Sequence, residues 1–537
     1  MSPNHSRSPA TSTGHRAASD EAILHRMGYA QVLYREMGGF SNFAISFTII
    51  SILSGCLNSY YIGFWYGGPV VITWGWLLVG VFCVLVALGL GEIASAMPTA
   101  GALYFWASKL GGAAWGWFTG WFNLVGQIAV TAAIGYGLAI FSTALLNFWF
   151  DYPNTKEWTL LTYSVVMIIA VLINLFNVRF TSMLNTISAY WHMVGVAIIV
   201  LVCIVVPDHH RSVGFVFTDT LNNSGFSGTN FGSIMFWYVF GLGLLMSQYT
   251  ITGFDASAHM AEETQAASRM AAVGMYMSVV ASVVFGWILL LAVTFAVPDV
   301  DGVVAAGSNA VVYIWQASMS QNWAELLLFI CCIAQMFCLT ASVTSASRMM
   351  FAFSRDGAIP GHRWWRQVGR NRVPHIAVIA IGVLSWALMI PTYWNAFVGY
   401  LVGTSIAVIG LYIAFILPVI LRYRIGDAWE PGAWSLGKHY KWIDPIAIVW
   451  VAIISVLFML PISPAGIPFK DDPGFNWDVA NYAPLTVGGA LLFFGGWWVL
   501  SAKRWFKGPV RMGTDEELEQ LEETQLGSFD LPTEEPA

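Results

Sequence analysis

Ser54-Gly55-Cys56 and Thr252-Gly253-Phe254-Asp255 decide how this chain folds. The first group interrupts the uncharged stretch from Phe40 to Tyr66. The second closes the apolar run that starts near Phe231. Small polar residues loosen a helix, and a lipid core has no water to satisfy the backbone groups they free, so such a break survives only where it lines a cavity or is buried in protein. Paired breaks at corresponding places in two halves of a chain point to a transporter binding site.

The flanking composition agrees. Of the 537 residues, 57% are hydrophobic and 10% charged, whereas soluble domains carry about 25% charged residues. This is the composition of an integral membrane protein. Nearly uncharged runs occur at 40–66, 69–91, 110–150, 158–178, 180–207, 231–254, 270–297, 326–347, 373–390, 396–421, 445–463 and 479–502. Each reaches the ~17–25 residues that a spanning helix needs. The ninth and tenth are separated only by Pro391 to Asn395, so eleven spans also fit the runs.

Charge placement favours twelve. With the N-terminus inside, 21 of the 24 Lys and Arg fall on the cytoplasmic side, and only Lys156, Arg211 and Lys470 fall outside. Eleven spans would export Lys503, Arg504, Lys507 and Arg511, against the positive-inside rule. The expectation is a multi-pass protein of the plasma membrane with both termini in the cytoplasm.

Aligning the two breaks pairs residues 40–207 with 231–421. Five spans in each half, an odd number, make the second half inverted. The expected fold is therefore an all-α integral membrane protein of twelve transmembrane helices. It has a five-plus-five inverted repeat with broken helices 1 and 6, and two extra helices at 445–502. Residues 1–39 read as a polar cytoplasmic tail, disordered to about Ser19, and residues 503–537 as an acidic one. Residues 1–39 hold no apolar core segment of a cleavable signal peptide. The six Cys all fall within spans and read as small packing residues.

No phosphate-binding loop or metal-spaced His/Cys cluster is present, so neither an enzyme nor a cofactor is expected. The loop from Arg355 to Arg372, with Arg363, Arg366 and Arg370 between, reads as a cytoplasmic anchor beside anionic lipid rather than a nucleic-acid patch.

Within the spans, Ser54, Gly55 and Cys56 would free N–H groups at a half-helix start, where the helix dipole favours a substrate carboxylate. A close helix crossing would use the same small residues. Asp255 is costly at membrane depth unless partnered. It either caps the half-helix after it or faces the cavity and pairs with a substrate ammonium. Phe254 beside it is a gate or a packing residue. His192 is a proton carrier or a satisfied core histidine. Asn123 and Gln127 lie four apart on one helix face. Ser342, Thr344 and Ser345 either coordinate Na⁺ with carbonyls near Ser54 or bond between helices. Glu92, Glu263 and Arg348, with His259, Glu262 and Arg355 as further partners, form a candidate inner gate or are ordinary interfacial charges.

Three motifs carry a family resemblance. Gly91-Glu-Ile-Ala-Ser-Ala-Met-Pro-Thr-Ala-Gly-Ala-Leu-Tyr-Phe-Trp106 resembles the span 2–3 loop of amino acid permeases. Thr252-Gly-Phe-Asp-Ala-Ser-Ala-His-Met-Ala-Glu-Glu-Thr264 resembles their sixth-span signature, and Ser347-Arg-Met-Met-Phe-Ala-Phe-Ser-Arg-Asp-Gly-Ala-Ile-Pro360 their span 8–9 junction. The chain is identified on these as similar to the amino acid–polyamine–organocation superfamily over about residues 30–510, most like the amino acid/choline transporter branch.

The resemblance implies alternating access, with substrate held between Ser54, Gly55 and Cys56 and Gly253, Phe254 and Asp255. It also brings His192 to or beside the place of a span-five Lys in some proton-driven relatives. The expected partners are the bilayer, an amino acid or small amine such as GABA, and H⁺ or Na⁺ as coupling ion. Choline or polyamine transport, exchange, and a non-transporting nutrient sensor are the alternatives.

Overall fold

A helix satisfies all of its own backbone groups, so an uncharged run placed in lipid has little choice but to coil. The computed structural model describes residues 20–520, apart from 177, 370, 470–473, 515 and 519. Residues 1–19, Arg370, Lys470 and the acidic tail beyond Gln520 lie outside the described residues.

The first half holds α1 (Asp20–Arg26), α2 (Gly39–Ile50), α3 (Gly55–Asn58), α4 (Tyr60–Gly67), α5 (Trp76–Ala96), α6 (Ala102–Gly111), α7 (Ala113–Phe150), α8 (Lys156–Asn174) and α9 (Val178–Val205). After the short α10 (Val213–Thr218) come α11 (Ile234–Gly243), α12 (Leu245–Thr250), α13 (Ala256–His259) and α14 (Ala267–Phe295). The chain continues through α15 (Val300–Ala306), α16 (Ala310–Ser318), α17 (Gln321–Arg355), α18 (His362–Trp365), α19 (His375–Leu388) and α20 (Ala396–Ile425). It ends with α21 (Tyr440–Leu457), α22 (Ala483–Trp497) and α23 (Lys503–Trp505).

Eleven helices among the described residues are long and apolar enough to cross a membrane. The run at 231–254 is not one of them, because it is split into α11 and α12 before a non-helical stretch that leads to α13. The interruption read from Thr252 to Asp255 is thus a real loss of helix.

α7 sits at the centre of the bundle, with 89% of its most apolar window buried, against 11% for the last span. It crosses α20 closely: a Cβ on Gly410 would stand 3.1 Å from the Cα of Gly126. Small residues at such crossings let backbones approach where lipid offers no hydrophobic drive.

Residues 20–38 are packed, not loose. The Asp20 carboxylate accepts from the N–H groups of Ala266 and Ala267 at 2.7 and 3.0 Å. Met37 forms an isolated parallel bridge with Thr264, donating to Glu263 O and accepting from Gln265 N, both at 2.9 Å. The far end of the chain joins them. Met512 N donates to Gly28 O at 2.8 Å, and Leu518 is buried with Ala30, Val32, Leu33, Phe351 and Val368.

Candidate functional site

The two breaks touch. A Cβ on Gly55 would stand 2.7 Å from the side chain of Thr250, so only glycine lets α3 lie against the end of α12. At the first break α2 ends at Ser51 in the left-handed region, with φ 37°. Gly55 N returns to Ser51 O at 2.7 Å. The N–H groups of Cys56 and Leu57, at the start of α3, find no acceptor among the described residues.

At the second break Gly253 takes φ 79°, and a Cβ there would meet Ile49 at 2.3 Å. The freed carbonyls are recaptured from other spans. Ser46 Oγ donates to Phe254 O at 2.8 Å, and the Tyr412 hydroxyl donates to Ile251 O. Phe254 is buried against Phe415, ring centroids 4.9 Å apart.

Asp255 is fully buried. Its Oδ2 accepts from Gln127 Nε2 at 2.9 Å, Asn123 Nδ2 at 3.3 Å and His259 Nε2 at 3.2 Å. The capping alternative is not what the side chain does: Asp255 occupies the N-cap position of α13 but makes no side-chain cap bond. The central α7 offers two amide donors one turn apart, and the carboxylate turns to them instead. Oδ1 has no hydrogen-bond partner among the described residues.

His259 bridges this carboxylate to the span 2–3 loop: its Nδ1 lies 2.9 Å from Ala100 O and its Nε2 3.2 Å from Asp255 Oδ2.

His192 is buried and bonded at both ring nitrogens. Nδ1 donates to Ser188 O at 2.8 Å, leaving Nε2 to accept from the Ser51 hydroxyl at 2.7 Å. Ser51 is the left-handed residue that ends α2, which ties the histidine directly to the first break. Ser342 and Thr344 diverge: Ser342 Oγ lies 2.7 Å from Thr131 Oγ1, while Thr344 Oγ1 donates to Asn174 Oδ1 at 2.5 Å. Ser345 Oγ is buried without a partner among the described residues. From α17, Cys338 Sγ donates to Ile49 O at 3.2 Å, just before the first break.

Ion pairs cluster at the end of the bundle below the breaks. Arg348 Nε meets Glu263 at 2.9 Å, and Arg355 grips Glu262 with two bonds of 3.2 and 3.1 Å. The Arg355 guanidinium also lies 3.8 Å from the Tyr29 ring centroid. Glu92 does not pair with Arg348 or Arg355; it takes Arg422 of α20 at 2.9 Å, because α5 ends beside α20. Nor do all the loop arginines face lipid: Arg355 is in this network, and Arg372 lies over Tyr34 at 4.3 Å.

Several residues here carry no local signal in the sequence. Three tyrosines from three helices gather around Tyr400 of a fourth, with Tyr136, Tyr61 and Tyr249 at centroid distances of 6.2, 6.4 and 6.4 Å. All are buried. Asp356 accepts from the hydroxyls of Tyr29 and Tyr104 and from Val510 N, joining both terminal segments to the α17 end. Asp356 belongs to the span 8–9 motif quoted above.

Comparison with known proteins adds family likeness to this geometry. A family model described as amino acid permease matches residues 37–491. The chain is 37% identical to an amino-acid permease BAT1 homolog of Oryza sativa subsp. japonica, covering 93% of this chain and 96% of that one. It is 36% identical to amino-acid permease BAT1 of Arabidopsis thaliana over 92% and 96% of the two chains. It is 27% identical to a GABA-specific permease of Saccharomyces cerevisiae (strain ATCC 204508 / S288c) over 94% and 88%.

Proposed function

The chain belongs to the amino acid permease family and is a membrane transporter, not an enzyme; on that premise we propose that it imports an amino acid or small amine such as GABA by alternating access. The observation that carries the substrate class is Asp255. One of its oxygens is filled by three donors and the other is left without a partner in a buried site. A carboxylate held this way suits a substrate ammonium, and the N–H groups of Cys56 and Leu57 suit a substrate carboxylate.

The working parts are then twelve spans in two inverted sets of five plus two more, with both termini cytoplasmic in a plasma membrane. The tyrosines around Tyr400 close the outer side. Glu263–Arg348, with Glu262–Arg355 and Glu92–Arg422, closes the inner side. A quaternary ammonium such as choline is the second substrate reading, favoured by the same tyrosines, since aromatic faces attract such cations.

Coupling is to protons, with His192 as carrier. A second proton on Nε2 turns the Ser51 hydroxyl from donor to acceptor at the residue where α2 ends. The Na⁺ alternative rests on the unpartnered Ser345 hydroxyl with Ser342 and Thr344.

Counterflow in proteoliposomes tests the reading. Saturable exchange of labelled amino acids or GABA, competed by amines, is expected. Binding without exchange would identify a sensor, and inhibition only by anionic, amine-free solutes would refute the substrate class.

A further inference from the structure

Asp444 sits in the first turns of α21, fully buried, and neither carboxyl oxygen has a hydrogen-bond donor among the described residues. A Cβ on Gly89 would lie 3.1 Å from its Oδ1 and 3.4 Å from the side chain of Val419. The carboxyl is thus wedged between α5 and α20, one turn from Glu92 on the first and from Arg422 on the second. These are the charged groups that act on it from the helices packed against it. On its own helix Lys441 is turned to Asp427 at 2.9 Å, and Lys438 and His439 just before it are exposed.

Two buried carboxyls therefore lie near one guanidinium, and the one paired with it is Glu92. Arg422 Nε donates to Glu92 at 2.9 Å, and the same carboxylate accepts from the Ser435 hydroxyl at 2.7 Å and Leu436 N at 3.1 Å. Asp444 receives nothing. An ionised carboxylate without a partner in such a place is far less favourable than the neutral acid, so the group takes up a proton instead.

We propose that Asp444 is a proton-binding site, and that Arg422 is shared with it: paired to Glu92 while Asp444 carries the proton, drawn to Asp444 when the proton leaves. The consequence falls on the junction that Glu92 organises. Its neighbour Ser95 holds Trp434 N at 2.8 Å, so the end of α5 gathers residues 434–436 beneath the bundle. Acid keeps Arg422 on Glu92 and this junction tight; alkali divides Arg422 and loosens it. None of this depends on which solute or ion the protein carries.

Infrared spectra of the full chain in micelles over a pH series provide the test. Wild type should show the C=O stretch of a protonated carboxyl that Asp444→Asn lacks, that Asp444→Glu shifts, and that fades as pH rises. Glu92→Gln releases Arg422, so the Asp444 band should already be lost at neutral pH. Wild-type and Asp444→Asn spectra that superimpose at every pH would overturn the site. A band that persists in Glu92→Gln would overturn the sharing of Arg422. The amide has nearly the shape of the neutral acid and removes no bond, so failure of Asp444→Asn to fold would count against the proposal, and Asp444→Glu would then carry the spectral test.

Discussion

Replacing Asp255 by Asn keeps the side-chain shape and removes the charge. The amide oxygen can take the position of Oδ2 and go on accepting from Gln127 and Asn123. The amide nitrogen then occupies the place of Oδ1, where the reading above puts a substrate ammonium. A hydrogen bond to a charged group contributes about 1.5–3 kcal/mol and a neutral one about 0.5–1.5, so losing the charge alone costs about 1–2 kcal/mol of binding. At 1.4 kcal/mol per tenfold, that is about a 5–30-fold weaker half-saturation in counterflow. A donor facing the ammonium can only enlarge it. Folding should change little, because two of the three donors to this side chain are kept; thermal unfolding followed by Trp fluorescence checks this. A folded Asp255→Asn protein with wild-type half-saturation for every amine tested would show that the carboxylate serves the fold and not the substrate.

Arg355→Met should destabilise the protein by about 3–5 kcal/mol, since it strands the buried Glu262. Adding Glu262→Gln should restore part of that loss, and strictly additive effects in denaturation from micelles would refute the pairing. Gly253→Ala should cost roughly 1–3 kcal/mol from its positive φ and the contact with Ile49; an unchanged unfolding midpoint would count against the break as drawn. With His192→Ala, an imposed pH gradient should no longer drive accumulation, although substrate exchange partly survives. Strict Na⁺ dependence of wild type, or undiminished pH-driven uptake by the variant, would make His192 a core residue.

The breaks were legible because Gly and small polar residues inside an apolar run have a physical meaning that does not depend on distant partners. Asp255 stood out for the same reason, as an acid where acids are expensive. What it binds was only half legible. Asn123 and Gln127 could be placed on one helix face, but nothing local says that this face meets the second break. The partner of Glu92 could not be read at all. Arg422 is 330 residues away, and several arginines were equally available to it. The tyrosines around Tyr400 are hidden among 20 tyrosines; only the packing of α4, α7, α12 and α20 selects four of them. Asp444 carries no such signal: it stands just before an apolar run, and only the crossing of α5 and α20 buries it.

The knot of contacts at Gly28, Asp356 and Met512 sets an order of assembly. Tyr29 leaves the ribosome early, yet Asp356 is made more than three hundred residues later and the backbone donors at 510 and 512 later still. At roughly 5–20 residues per second, the anchor of the first span waits tens of seconds for its last partners. The early spans must therefore insert with their lower end unsecured, and a segment near residue 512 fastens one near residue 28 that was made long before it.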